Sequence, residues 1–191
     1  YNRSPLPKLS HCGWETITEV FQSTLGRDDV VPGLVMDIQT YGRWGNWNPH
    51  LHSLCTDGCF DTEGNFYPLP RISTETLEKV FTAKVMAMLV KEKLIGQDVV
   101  KKILSWRHSG FNAHAKVRLL AGDKDGLKSL AEYIVRSPVS EGKIILSDDG
   151  QKVIYHDKLN PSVGRNFETF DTLEFLAALS THIPARNRKV V

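Results

Sequence analysis

VPGLVMDIQTYGRWGNWNPHLHSLCTDG, residues 31–58, is the stretch that decides the fold. Inside it LVMDIQT, within Gly33 to Thr40, mixes branched apolar and polar residues as a strand does, and PHLHSLCTDG reads as a second strand. The connector is a short run of Gly, Asn and aromatic residues. That is too short for the crossover that parallel strands need, so the pair is expected to be antiparallel. Period-two geometry aims His50 and His52 at one face of the second strand, roughly 7 Å apart along the backbone. Asp37 and Gln39 share a face of the first by the same rule.

Working outward, Leu9, Cys12, Ile17, Val20, Phe21 and Leu25 recur at helical spacing over Leu9 to Leu25, with Gly26 placed to cap the helix. NFYPLP adds an edge strand after the hairpin. Ser73 or Thr74 is expected to cap a long helix through Leu94, and Val99 to Trp106 a shorter one. Phe111 to Leu120 alternates Phe111, Ala113, Ala115, Val117 and Leu119 with polar neighbours, the pattern of a half-buried strand. Asp123 to Ser137 carries a helical stripe of Leu127, Leu130, Ala131, Ile134 and Val135, stopped by Pro138. KIILSDDGQKVIYH is a hairpin by its Asp-Gly turn, and Thr172 to His182 a closing amphipathic helix. Strands that neighbour in sequence, with helices between groups of them, predict an α+β fold: a central, largely antiparallel sheet covered by helices, in a single domain over 1–191.

With 191 residues, 41% of them hydrophobic and 24% charged, the chain sits near globular averages. No apolar run is long enough to span a bilayer, so no membrane role is expected. Lys and Arg number 24 against 22 Asp and Glu, a net charge of +2, so any basic surface must be local. The three cysteines, Cys12, Cys55 and Cys59, suit reduced thiols in a cytoplasmic protein. Cys55 and Cys59 stand outside the tight two-residue gap of a structural zinc knuckle. The N-terminal stretch is polar and proline-broken, unlike a signal peptide, and the first Met is Met36, which suggests a piece of a longer protein.

Several residues could carry chemistry. Two neutral imidazoles on one strand face, His50 and His52, can share a cation. With seven His in the chain, such a triplet arises by chance in roughly one comparable sequence in five, so it needs support. Gln39 or Asp37 could supply a third ligand. The loop from Tyr41 to Pro49 interleaves Arg43, Trp44 and Trp47 with small residues, a composition that can stack unpaired bases while Arg meets phosphate, although aromatics in a loop more often tuck onto a core. Lys116 and Arg118 share a face of the expected strand, and Arg136 ends the helix that follows. Tyr133 lies about 60° from Leu130 on the helical wheel, at the border of the apolar stripe. Its hydroxyl is thereby left at the edge of solvent.

The segments VPGLVMDIQTYG, NPHLHSLCTDG, SWRHSGF, LAEYIVRSP and FDTLEFLAALSTHIP, in this order, resemble the catalytic region of rolling-circle insertion-sequence transposases of the HUH endonuclease superfamily. The resemblance implies that His50, His52 and Gln39 bind a divalent metal, Mg2+ or Mn2+, and that Tyr133 is the nucleophile. It implies a nickase and transposase that joins single-stranded DNA, at transposon ends and targets, to the tyrosine through a 5′-phosphate, working at the bacterial nucleoid. Arg43, Trp44, Trp47, Lys116, Arg118 and Arg136 are then candidate DNA contacts. Some relatives carry a second tyrosine four residues after the first; Ser137 stands there, which resembles the single-tyrosine members. Relatives also possess an N-terminal zinc module, a further sheet strand and a C-terminal tail, so a fragment is expected. The competing function is a non-catalytic single-stranded nucleic-acid-binding domain. A cupin-type enzyme, which needs a Glu ligand soon after the His pair, fits poorly, because the first Glu downstream is Glu63.

Overall fold

The computed structural model describes residues 3–135, 139–161 and 163–183. It is an α+β protein with two three-stranded sheets among the described residues, and the chain gathers into two compact units. One holds Ile38–His50 together with the chain from Lys124 onward; the other runs up to Asp37 and resumes over Leu51–Asp123. Among the described residues no helix is long and apolar enough to cross a membrane.

The second of these units begins with helix α1, Leu6–Leu25. Its end is a left-handed Gly26 at φ 66°, with the Arg27 amide reaching back 3.1 Å to the Gln22 carbonyl, as the sequence predicts. Strand β1, Val31–Tyr41, and strand β2, Trp47–Phe60, contribute their Val31–Asp37 and Leu51–Phe60 stretches here. Short β3, Phe66–Pro68, pairs antiparallel with β2, placing Cys59 opposite Tyr67. Gly13 is where α1 meets the strands most closely. A Cβ there would fall 2.6 Å from the Leu51 Cδ1 and 2.9 Å from the Met36 side chain. The core gathers Phe21, Val30 and Cys59 with Ile17, Leu25, Tyr67, Leu69 and Ile72 around them. Burial pushes the Cys12 and Cys59 thiols up, which suits inert packing residues.

Helix α2, Thr74–Lys91, packs on α1 and starts at Ser73, whose hydroxyl accepts from the Glu75 amide at 3.2 Å. It stops three residues before the expected Leu94 because Lys93 turns left-handed, φ 58°, and the Leu94 amide folds back onto the Leu89 carbonyl. Lys93 takes the place that glycine usually holds, so composition conceals the stop. Helix α3, Gln97–Leu104, follows.

The expected strand over Phe111 to Leu120 does not form: these residues are irregular, with Val117 at 69% and Leu120 at 82% exposure. Two of its five alternating apolar positions are alanines, which bury little, and a strand persists only where cross-strand neighbours reward it. The shared face assigned to Lys116 and Arg118 is lost with it.

In the other unit, helix α4 spans Lys124–Ile134. Strands β4, Ile144–Leu146, and β5, Lys152–Asn160, form the hairpin predicted from its Asp-Gly turn, with Gly150 at φ 70°. Strand β6, Arg165–Asp171, pairs antiparallel with β5, Val153 opposite Phe170, and was not anticipated. Helix α5, Thr172–Ser180, leaves β6 directly and drives Phe175 into a cluster with Val153 and Tyr155.

Candidate functional site

The tip of the first hairpin is held by its own unit. Arg43–Gly45 makes one short 3-10 turn in which Trp44 adopts φ 56°, a left-handed conformation uncommon outside glycine. Its indole packs with the Val153, Tyr155 and Phe175 cluster, its Nε1 buried without a hydrogen-bond partner among the described residues. The Arg165 guanidinium lies 5.5 Å from the Trp44 ring centroid. Both features cost free energy locally, about 1 kcal/mol or more each, so the ring's burial must outweigh them.

His182, 7% exposed, joins the tip to the end of α5. Its Nε2 is 2.7 Å from the Gly45 carbonyl, which can only accept, so Nε2 carries hydrogen; in the neutral ring Nδ1 then accepts from the Thr40 hydroxyl at 3.1 Å. The same ring stacks on Trp47 at 5.9 Å and meets Tyr41 edge-on at 6.0 Å. Sequence reading placed His182 only at a helix end. Contacts 137 and 142 positions distant leave no local signature.

His50 and His52 both stand on β2, half-buried. Between them Leu51 turns its side chain towards Gly13, so strand alternation gives His50 and His52 the other face of β2. The His50 Nδ1 lies 2.8 Å from the Asn48 carbonyl. A carbonyl only accepts, so Nδ1 donates in this contact.

On β1, Met36 approaches Gly13, so Asp37 and Gln39 point to that strand's other face. Both are buried, Asp37 at 7% and Gln39 at 2% exposure. Neither Asp37 carboxylate oxygen has a hydrogen-bond partner among the described residues. A buried carboxylate left so is costly, and a cation is the natural complement. The Gln39 Nε2 donates to the backbone carbonyl of Ile134, the last residue of α4. That bond links the strand to the residue next to Tyr133.

Helix α4 buries no residue fully: Gly126, Leu130 and Ile134 are half-covered, and Tyr133 beside them is 46% exposed. This is the border position that the helical wheel gives it. Arg43 and Lys116 are exposed, and Arg118 pairs with Asp57 at 3.1 Å on the surface. Arg136 and Ser137 fall outside the described residues.

Taken one by one, the imidazoles of His50 and His52, the amide of Gln39 and the carboxylate of Asp37 are donors of types that suit a divalent ion. Among the described residues no three His, Cys, Asp or Glu side chains already cluster as a metal site.

Comparison with known proteins adds a family. Residues 33–191 match the model of a family described as "Putative transposase". Over 176 residues the chain is 22% identical to the transposase for insertion sequence element IS801 of Pseudomonas savastanoi pv. phaseolicola. The alignment takes in 83% of this chain and 42% of that protein, so the chain spans less than half the length of this curated relative. No solved structure matches.

Proposed function

Since the chain belongs to the transposase family whose model covers residues 33–191, we propose that it cuts and rejoins single-stranded DNA at transposon ends and targets in the manner of the rolling-circle HUH enzymes. Tyr133 is the nucleophile in this reading. Its oxygen forms a bond to the scissile phosphorus, the bond from phosphorus to the 3′-oxygen breaks, and the tyrosine proton is released while the departing 3′-oxygen is protonated. The products are a 5′-phosphotyrosine and a free 3′-hydroxyl. Attack by another 3′-hydroxyl reverses the step and restores a phosphodiester, so joining needs no ATP.

His50 and His52, with Gln39 as third donor and Asp37 as the alternative, would hold a divalent ion, Mg2+ or Mn2+. When bound, such an ion withdraws charge from the scissile phosphate and favours ionisation of a nearby hydroxyl. That help matters because a free tyrosine hydroxyl titrates near pH 10. Arg43, Trp47, Lys116, Arg118 and Arg136 are the proposed contacts to unpaired DNA, with Trp44 supporting the loop from the core.

The observation that carries the reading is the bond from Gln39 to Ile134, because it ties the turn bearing the half-exposed Tyr133 to a candidate ligand on β1. The Asn48 carbonyl, which orients the His50 ring through Nδ1, supports the metal half. The test is cleavage of a single-stranded oligonucleotide with and without Mn2+. His50→Ala is expected to lose both Mn2+ binding and cleavage. Metal-independent binding of the oligonucleotide with no cleavage would favour the non-catalytic alternative.

A further inference from the structure

We propose that Gln39 is the positioning residue for Tyr133, acting through its amide nitrogen on the end of α4 rather than only through its oxygen on a cation. The proposal rests on the reading of Tyr133 as nucleophile and deepens it.

The last carbonyls of an α-helix have no partner within the helix, and they must find one from a cap, water or a distant group. Ile134 closes α4, and the group that reaches its carbonyl comes from 95 positions earlier in the chain. Gln39 is well suited to that work. It sits on a strand and is 2% exposed, so its backbone offers a firm anchor and its side chain has little room to move. Helix α4 is the opposite case. With Leu127 at 45% and Tyr133 at 46% exposure and only three half-covered positions, side-chain packing holds it weakly. A single directed bond at its last residue therefore has a large share in fixing the turn from which the Tyr133 ring projects.

The chemistry of the amide makes the two roles separable. Only the NH2 end can donate to a carbonyl, so Nε2 is committed to Ile134 and any ligand bond falls to Oε1. Gln39→Glu keeps oxygens for a cation and removes the donor. Gln39→Met keeps the length of the side chain and removes both, without burying a charge.

The experiment measures three quantities in both variants: Mn2+ affinity with the metal alone, hydrogen exchange at the amides of Tyr133, Ile134 and Val135, and covalent adduct formation on a single-stranded oligonucleotide, resolved into kcat and KM. The expected result is exchange at the end of α4 faster by about tenfold in both variants. Adduct kcat falls at least as far while KM for the oligonucleotide stays near wild type. Gln39→Glu retains Mn2+ affinity. Exchange at these amides unchanged in Gln39→Met, or wild-type kcat in Gln39→Glu, overturns the proposal and leaves Gln39 as an oxygen donor. If Gln39→Glu does not fold, Gln39→Met decides alone by exchange at the end of α4. Tyr133→Phe separates the two claims: an adduct that survives in it defeats the nucleophile assignment, while the exchange result still judges the clamp.

Discussion

The hairpin tip at Arg43–Gly45 and helix α4 belong to one unit, and each presents an aromatic residue of interest, yet they are held in different ways. Trp44 is packed against Val153, Tyr155 and Phe175, and His182 holds the surroundings through the Gly45 carbonyl, the Thr40 hydroxyl and a stack on Trp47. Tyr133 is 46% exposed. It stands on a helix with no fully buried residue, secured near its end by the amide of Gln39. The difference shows that an aromatic's type does not announce its role. A ring set in a core supports shape, whereas a hydroxyl on a loosely packed helix can reach a substrate and adjust to it.

That comparison can be broken at the rigid end first. Phe175→Ala removes the ring that Tyr155 and Phe170 surround at 6.2 and 5.6 Å, and thermal or denaturant unfolding should report a loss of roughly 3–5 kcal/mol. A loss below about 1 kcal/mol would mean that this cluster is not the base of the tip. His182→Ala comes next. It leaves the Gly45 carbonyl and the Thr40 hydroxyl without their partner, for an expected cost of about 2 kcal/mol, with near-ultraviolet circular dichroism of Trp47 altered.

The smallest effect lies in the other unit and concerns pH. The Asp61 carboxylate accepts from the Asn65 amide group, from the backbone amides of Asn65 and Glu63 and from the Tyr67 hydroxyl, which together hold it down at about 2. A carboxyl lowered in the folded state stabilises above its unfolded value near 4, and the contribution is lost as pH falls through the folded one. Acid unfolding should therefore flatten between about pH 4 and pH 2 in Asp61→Asn relative to wild type. Identical slopes in that window would show that the Asp61–Asn65 turn is not linked to folding.

The sequence made the hairpin of β1 and β2, the Gly26 stop and the Asp-Gly turn legible because each is written in neighbouring residues. Strand β6 escaped notice since its RNFETFD run turns Glu168 and Phe170 to the covered side and leaves Phe167 at 42% exposure, which blurs the apolar alternation. The opposite error, over Phe111 to Leu120, came from an alternation that no neighbouring strand rewards. Of the candidate site, spacing alone placed His50 with His52 and Asp37 with Gln39 on their strand faces, and put Tyr133 at a stripe's border. The bond that joins Gln39 to Ile134 could not be read from spacing, because a contact across 95 positions is settled by the whole packing and not by any local period.

The central claim is that Tyr133 forms the covalent link to DNA, and the most direct measurement is to trap the adduct on a 5′-labelled or 3′-labelled single-stranded oligonucleotide with Mn2+ and map it by mass spectrometry. The account predicts a single phosphotyrosine at Tyr133, carrying the DNA through its 5′-phosphate, and no adduct in Tyr133→Phe, whose stability should stay within about 0.5 kcal/mol of wild type. An adduct that maps to Tyr41 or Tyr155, or that persists in Tyr133→Phe, would contradict it.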